Sequence, residues 1–196
     1  MQDSILHRKE RLIITTIEII DELGLQGLST REIAKRQGVS EATIFRHYKS
    51  KNELLLAVLE NFSEFDHDIF QSIKLKGLPP REAINFLICS HVEYYENYPA
   101  ITSILLNFDE LRHEQVLEAK VNRIINNRTE YLRELFEEAQ KEGEISPGVN
   151  IDTIPDVIFG AVIMICMKWK MNGQQFSLKE RILTTLNQIL DAFSKQ

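Results

Sequence analysis

Apolar residues recur every three or four positions along nearly the whole chain, and this spacing restricts the fold to helices. In residues 8–23 the repeat runs through Ile13, Ile17, Ile20 and Leu23, which is one face of an amphipathic helix. No segment alternates apolar and polar residues over the length of a strand, and no internal repeat is present. The sequence therefore predicts an all-α protein with about nine helices.

Glycine and proline residues indicate where these helices end. Gly38 interrupts the pattern between two short helices. Gly77, Pro79 and Pro80 stop a long helix, because proline cannot continue a helix interior. The predicted helices cover residues 8–23, 30–37, 40–48, 51–77, 80–97, 101–108, 111–142, 152–171 and 178–193.

Composition and the lack of other signals disfavour a membrane protein, a secreted disulfide scaffold and a zinc finger. The chain has 196 residues, 43% of them hydrophobic and 27% charged, an ordinary balance for a folded globular protein. Its longest apolar run, residues 157–167, is too short to cross a bilayer. Cys89 and Cys166 fit no zinc or redox spacing, and the first residues show no signal-peptide pattern. We therefore expect a cytoplasmic protein with no membrane partner, no metal and no cofactor.

Positive charge is concentrated in one short stretch of the sequence. Residues 28–51 contain six lysines and arginines against two glutamates, a net charge of +4. The whole chain carries −6, so the remainder carries −10. A basic island on an acidic body is typical of a protein that meets phosphate with one surface. A solvated helical face that happens to be basic explains the same charges equally well.

Two short helices in residues 30–48 are separated by Gly38-Val39-Ser40, which is the pattern of a helix-turn-helix. Ala34 provides a small residue where the second helix crosses the first, and Gly38 tolerates the positive φ that the turn needs. Val39 and Ile44 fill the shared core. The opposite face of the second helix is then free to enter a major groove. That face consists of Glu41, Ala42, Thr43, Arg46 and His47.

Other functions compete with DNA binding. Helix–glycine–helix turns also occur in ordinary helical bundles, and a helical binding module without DNA recognition has the same turn. An enzyme is disfavoured, because the sequence has no nucleophile elbow, no paired catalytic carboxylates, no metal triad and no dinucleotide fingerprint. The polar, basic outer face and the filled core favour DNA binding.

Residues 28–34 (LSTREIA) and 38–55 (GVSEATIFRHYKSKNELL), with the apolar stripe of the preceding helix, resemble the TetR/AcrR family of transcriptional regulators. The resemblance implies a three-helix DNA-binding head in residues 1–60, with the helix-turn-helix at about 30–48, and a ligand-binding and dimerisation domain in residues 61–196. It implies a homodimeric repressor that binds a pseudo-palindromic double-stranded DNA operator and is released by a small-molecule effector. An effector-independent DNA binder, or an activator with the same head, is the alternative.

The resemblance also implies individual DNA contacts. Arg46 is placed for a bidentate contact to guanine, and Lys51 for a phosphate contact at the start of the long helix. Phe45 stands where the family commonly has tyrosine, so a phosphate-directed hydroxyl is missing and Arg46 is an alternative backbone anchor. His47 is expected to contact phosphate in its neutral form, and an added positive charge at mildly acid pH is the alternative. The predicted DNA-contacting residues are Thr30, Arg31, Ser40, Ala42, Thr43, Phe45, Arg46, His47 and Lys51.

Effector-binding candidates lie mainly in two segments. Residues 83–98 form an aromatic-rich helix with polar tips, a stripe that suits a packed core as well as a ligand cavity. In the long helix an apolar stripe passes through Arg128. This arginine lies either on a solvated edge or in a cavity where it recognises an anionic or polar head group. The candidates are Phe86, His91, Tyr95, Phe108, Asn127, Arg128 and Met164.

The last two predicted helices carry regular apolar seams. These seams suit the dimer interface that the resemblance implies, and they suit core packing within one subunit equally well. The dimer-interface candidates are Ile158, Val162, Ile165, Trp169, Ile182, Leu186, Ile189 and Phe193.

Overall fold

The computed structural model describes residues 2–194, with side chains described from residue 8 onward. Within these residues the chain forms ten α-helices and no strand, so the all-α prediction is confirmed. The helices are α1 (Gln2–Gly27), α2 (Thr30–Gln37), α3 (Glu41–His47), α4 (Lys51–Lys76), α5 (Pro80–Asn97), α6 (Thr102–Leu106), α7 (Phe108–Leu111), α8 (Gln115–Lys141), α9 (Ile154–Met171) and α10 (Leu178–Phe193).

The extra helix comes from the short apolar segment that the sequence predicted as one element over residues 101–108. A 3-10 helix (Pro99–Ile101) is followed there by α6 and α7. Asn107 separates the two helices with φ −105° and ψ 14°. Its side-chain amide donates a hydrogen bond of 2.7 Å to the carbonyl of Ser103, a local bond that competes with regular helix geometry.

Helix α1 is interrupted close to the point that the sequence indicated. Gly24 has φ 70° and ψ 176°, values outside the helical region, and the chain resumes a short helical turn up to Gly27. Glycine takes this backbone conformation without the steric penalty that a Cβ atom brings. The interruption therefore follows directly from the residue type.

The chain divides into two compact units, and α4 and α8 contribute residues to both. The first unit comprises residues 1–64 and 99–124. In it, Ser103 donates a hydrogen bond to Asp21 of α1, and Lys120 lies 2.6 Å from Glu60 of α4. The predicted domain boundary at residue 60 stays a prediction.

The second unit comprises residues 65–98 and 125–196. Trp169 of α9 donates a hydrogen bond of 2.9 Å to the carbonyl of Phe176, and the amide of Leu178 donates one of 2.8 Å to Glu96 of α5. Cys166 is fully buried in this unit, and burial raises the pKa of its thiol to about 12. Within the part of the chain that the structure describes, no helix has both the length and the apolar character that a membrane crossing requires.

Candidate functional site

Local hydrogen bonds build the helix-turn-helix. Ser29 begins α2 by accepting a hydrogen bond from the amide of Glu32 at 3.1 Å, and Ser40 begins α3 by accepting one from the amide of Thr43 at 3.3 Å. Gly38 ends α2 in the left-handed region, with φ 62° and ψ 34°. The amide of the next residue donates to the carbonyl of Ala34 at 3.0 Å, which closes the turn.

The predicted core positions of the motif are filled. Ala34 and Ile44 are buried, as are Ile33 of α2 and Tyr48 at the end of α3, and Val39 is half-buried. Because the buried face of α3 is fixed in this way, the opposite face is presented to solvent. The core therefore sets which side chains of α3 can reach a ligand.

The outward face of α3 carries the predicted DNA contacts. Ala42, Phe45 and Arg46 are exposed, whereas Thr43 and His47 are half-buried. Phe45 is 48% exposed, which is high for a phenylalanine. The exposed guanidinium of Arg46 has the planar geometry that suits guanine or phosphate. A helix of this kind has the width that a major groove admits.

Part of the basic island is neutralised within the head. Arg36 lies 2.7 Å from Glu22 and 3.0 Å from Glu32, so its positive charge is compensated by these two carboxylates. Lys51 donates a hydrogen bond of 3.2 Å to the carbonyl of Leu25, and its ammonium has two further donors. Cations that remain exposed at this surface are Arg31, Lys35, Arg46 and Lys49.

One of the predicted DNA-contacting residues also holds the head together. The hydroxyl of Thr30 donates a hydrogen bond of 2.7 Å to Glu41, which joins α2 to α3. Burial lowers the pKa of His47 below its ordinary value, and the positive charges of Arg46, Arg8 and Lys9 lower it further. The imidazole is therefore neutral near pH 7.

The charge count over residues 28–51 missed the cations of α1. Arg8 and Arg11 line a pocket together with Thr43 and Ile44 of α3. The Nζ atom of Lys9 lies 5.8 Å from the centre of the Tyr48 ring. A signal was present in the sequence, because residues three positions apart share a helix face, and Arg8 and Arg11 are spaced in this way.

Three of the predicted effector residues lie together in one buried cluster of the second unit. Arg128 of α8 donates hydrogen bonds to both carboxylate oxygens of Asp66, at 2.7 Å from Nε and 2.6 Å from Nη2. Its Nη1 atom lies 3.2 Å from the hydroxyl of Tyr95. His91 places Nε2 2.9 Å from Asp66 and Nδ1 2.9 Å from the carbonyl of Leu87. Both partners of His91 are hydrogen-bond acceptors.

The electrostatics of this cluster follow from burial and from the neighbouring charges. Burial alone would raise the pKa of Asp66, but the positive charge of Arg128 and the hydrogen bond from His91 outweigh it and hold that pKa below its ordinary value. Burial raises the pKa of Tyr95 to about 12, so its hydroxyl stays protonated. Arg128 is 6% exposed, and the alternative that it lies on a solvated edge is wrong.

The sequence reasoning overlooked Asp66. Position 66 falls on the apolar stripe of α4, between Phe62 and Ile69, and a carboxylate on a buried stripe is a signal for a buried cationic partner. The remaining effector candidates do not join the cluster. Phe86 is half-buried beneath the ammonium of Lys76, at 4.3 Å. Phe108 belongs to the first unit, and Asn127 and Met164 are exposed.

Most of the predicted dimer-interface residues are buried within the single chain, although the seams as such stay predictions. Buried positions are Ile158, Val162, Trp169, Ile182 and Leu186, and half-buried positions are Ile165, Ile189 and Phe193. The exposed apolar residues of α9 are Val157, Ile163, Met164, Met167 and Met171. Among the described residues, no group of three or more histidine, cysteine and acidic side chains is placed to hold a metal ion.

Comparison with known proteins agrees with this geometry. The Fatty acid metabolism regulator protein of Bacillus subtilis (strain 168) is 26% identical over 172 residues, which cover 86% of this chain and 86% of the relative. The solved structure of the fatty acid degradation regulator FadR from Bacillus halodurans matches with a TM-score of 0.80 and 21% identity, and the match covers 93% of both chains.

A second solved structure is the transcriptional regulator FadR from Bacillus subtilis in complex with stearoyl-CoA. It matches with a TM-score of 0.73 and 25% identity over 90% of this chain and 96% of that chain. Sequence models of two protein families match adjoining parts of this chain. Residues 12–58 match the family described as bacterial regulatory proteins, tetR family, and residues 59–192 match the YsiA-like protein, C-terminal region. The chain therefore belongs to the TetR family of transcriptional regulators and is not an enzyme.

Proposed function

We propose that the protein is a homodimeric, cytoplasmic repressor in which residues 1–60 bind DNA and residues 61–196 bind an effector and dimerise. Each subunit inserts α3 into the major groove of one half of a pseudo-palindromic operator. The single observation that carries this proposal is the helix-turn-helix itself. Its turn is closed at Gly38, its second helix is capped by Ser40, and its outward face exposes Arg46.

The nine predicted DNA-contacting residues fall into two roles. We propose that Arg46, Ala42 and Thr43 face the bases, because they lie on the outward face of α3. Contacts to the DNA backbone come from residues at the edges of the motif. These contacts fix the register of α3 on the duplex and do not distinguish base sequences. These residues are Thr30, Arg31, Ser40, Phe45, His47 and Lys51.

An exposed apolar face of α9 supports the dimer. Ile163, Met164 and Met167 are each more than a third exposed in the single chain, and methionine side chains adapt well to a partner surface. The predicted seam residues Ile158 and Val162 lie on the side of α9 that packs inside the single chain. They are buried there and have little exposed surface for contact with a partner. We propose that the dimer buries the exposed face, with Ile165, Ile189 and Phe193 at its edge.

We propose that the effector is the CoA thioester of a long-chain fatty acid. Three matches in Bacillus that cover 86% to 93% of this chain are named as fatty acid regulators or FadR, and one of them was solved with stearoyl-CoA. In this chain, His91, Tyr95 and Arg128 form a polar cluster inside the proposed effector domain, and we assign the polar end of the effector site to it. Phe86, Phe108, Asn127 and Met164 stay predictions for its remainder.

The test measures DNA binding by fluorescence anisotropy, with the full-length protein and a duplex from upstream of its own gene. We expect salt-sensitive binding that is tighter than binding to a scrambled duplex. Addition of stearoyl-CoA should weaken this binding by about 5- to 150-fold, the usual range of allosteric coupling. Free CoA and stearate serve as controls.

The outcomes separate the parts of the proposal. If the protein bound no duplex in a genome-wide selection, the repressor assignment would be wrong. Operator binding that no acyl-CoA changes would instead favour the effector-independent binder or activator. Within the effector site, Tyr95→Phe should raise the stearoyl-CoA concentration needed for release. Asn126→Ala on the exposed side of α8 should leave that concentration unchanged.

A further inference from the structure

The N-terminal half of α1 lies beside the recognition helix α3. Leu12 of α1 and Ile44 of α3 are both buried and line one pocket of about 160 Å³. A hydrogen bond of 2.6 Å from Gln37 to the hydroxyl of Thr15 joins α1 to the end of α2. Helix α1 therefore has a fixed position next to the turn and to α3.

The lining of this pocket is rich in hydrogen-bond donors. Its polar lining residues are Arg8, Arg11, Gln37 and Thr43, whose side chains carry guanidinium, amide and hydroxyl donors. The Gln37 amide already donates one hydrogen bond to Thr15, and the Thr43 hydroxyl lies 3.1 Å from that of Ser40, so the two arginines supply the donors on which an anion would depend. None of the described residues that line it is acidic. Paired guanidiniums with neutral donors match an anion with several oxygen atoms, because the planar fork of arginine donates to two oxygens at once.

The cations of α1 belong to the same electrostatic surface as α3. The charges of Arg8 and Lys9 act on His47 of α3, as the lowered pKa of that imidazole shows, after the effect of burial. Lys9 also reaches over the ring of Tyr48, at the last turn of α3. The positive charge beside α3 thus extends across α1, beyond residues 28–51.

We propose that Arg8 and Arg11, with Gln37, form a pocket that binds one backbone phosphodiester of the operator beside the recognition helix. The inference rests on the DNA-binding function proposed above. The pocket adds affinity and fixes the register of α3 in the groove, but it does not distinguish one base pair from another. Arg46 reads the bases, whereas the arginines of α1 hold the backbone next to them.

The experiment compares the parent with Arg8→Gln/Arg11→Gln on the operator duplex and on a scrambled duplex, over a range of salt concentrations. We expect the affinities for the operator and for the scrambled duplex each to fall about tenfold, so that the preference for the operator is unchanged. The slope of log affinity against log salt should fall by about one, the loss of roughly one phosphate contact. The control Lys74→Gln/Arg123→Gln changes the net charge equally at exposed positions outside the pocket and should leave both quantities unchanged.

A charge-preserving variant distinguishes a pocket from a diffuse positive field. Arg8→Lys/Arg11→Lys keeps both charges but loses the forked donors. We expect it to keep the salt slope of the parent and to bind with intermediate affinity. Affinity equal to that of the parent would overturn the pocket, because only the field would then matter. Circular dichroism melting of each variant checks that the head is folded.

The remaining outcomes separate this inference from the function on which it rests. If the parent binds the operator and the glutamine variant binds it equally well with the same slope, the pocket is wrong and the repressor function stands. If the parent binds no duplex, both fail. A third arm adds inorganic phosphate to the free protein at constant ionic strength. If phosphate raises the melting temperature of the parent but not of the variant, while the DNA slope is unchanged, the site takes free anions and the DNA assignment is overturned.

Discussion

Arg128 and Asp66 lie 62 positions apart in the sequence, yet they form a two-pronged ion pair with side chains that are at most 7% exposed. A buried pair of this kind contributes little net stability compared with apolar side chains. Removing one partner is much more costly, because the other charge is left in the protein interior. The pair therefore has consequences for stability that can be separated from those for effector binding.

We expect Arg128→Met to lower the free energy of unfolding by about 3–5 kcal/mol, because the carboxylate of Asp66 loses its buried cation. Urea unfolding followed by circular dichroism measures the change. Arg133→Met is the matched control on the same helix. Its pairs with Glu130 and Glu137 are solvent-accessible, so it should cost about 1 kcal/mol or less. The double variant Asp66→Leu/Arg128→Met should recover most of the loss, and equal stability of parent and Arg128→Met would contradict the expectation.

The same ion pair makes the free energy of unfolding depend on pH. The native state lowers the pKa of Asp66, so the folded protein favours the carboxylate form. This contribution is fully present above the unfolded pKa and is lost as pH falls through the lower folded pKa. It acts in addition to the general effect of carboxylate protonation.

Base readout and backbone anchoring should respond differently to substitution. We expect Arg46→Ala to reduce the preference for operator over scrambled DNA by about 1–3 kcal/mol. Lys51→Ala should weaken both duplexes by a similar factor and lower the salt slope by about one. Anisotropy titrations on both duplexes measure these quantities. A uniform loss in Arg46→Ala would instead assign Arg46 to the phosphate backbone, in an anchoring role that Phe45 has no hydroxyl to fill.

DNA affinity should rise as pH falls below 7 because of His47. Its pKa is lowered in the free protein, and a nearby phosphate stabilises the protonated ring, so DNA binding takes up a proton. Affinity therefore increases as pH falls through the window between the DNA-bound pKa and the lower free pKa. Titrations between pH 8 and pH 6 should show the increase in the parent and a flatter profile in His47→Gln. Identical profiles would place His47 away from phosphate.

The exposed apolar face of α9 predicts that negative charge introduced there prevents dimer formation. We expect the parent to behave as a dimer of 22.8 kDa subunits and Met164→Glu/Met167→Glu to behave as a monomer, because two carboxylates would be buried without partners. Light scattering coupled to gel filtration gives the masses. Leu75→Glu is the control, since Leu75 is an 86% exposed apolar residue on α4. A dimeric double variant would exclude this face from the interface.

Features built from neighbours in sequence were the predictable ones. The turn at Gly38 and the cap at Ser40 depend on bonds that span three to five residues, so residue type alone indicated them. The buried cluster was harder to predict from the sequence, because a helical stripe indicates that Arg128 faces inward but does not indicate which distant residue contacts it. The two helices around Asn107 were missed because a single side-chain hydrogen bond divides a segment whose apolar pattern is continuous. The cations of α1 were missed because a charge count along the chain does not follow a helix packed beside α3.

Burial of Cys166 makes this thiol a probe of conformational opening. A thiol with a pKa of about 12 has almost no reactive thiolate at neutral pH, and its side chain is inaccessible while α9 is packed. In a Cys89→Ser background, a thiol reagent would label the protein only during the moments when the second unit opens. A small molecule that binds the closed state would slow this labelling in proportion to its occupancy. The rate at which one cysteine is modified thus reports effector binding with no DNA in the sample.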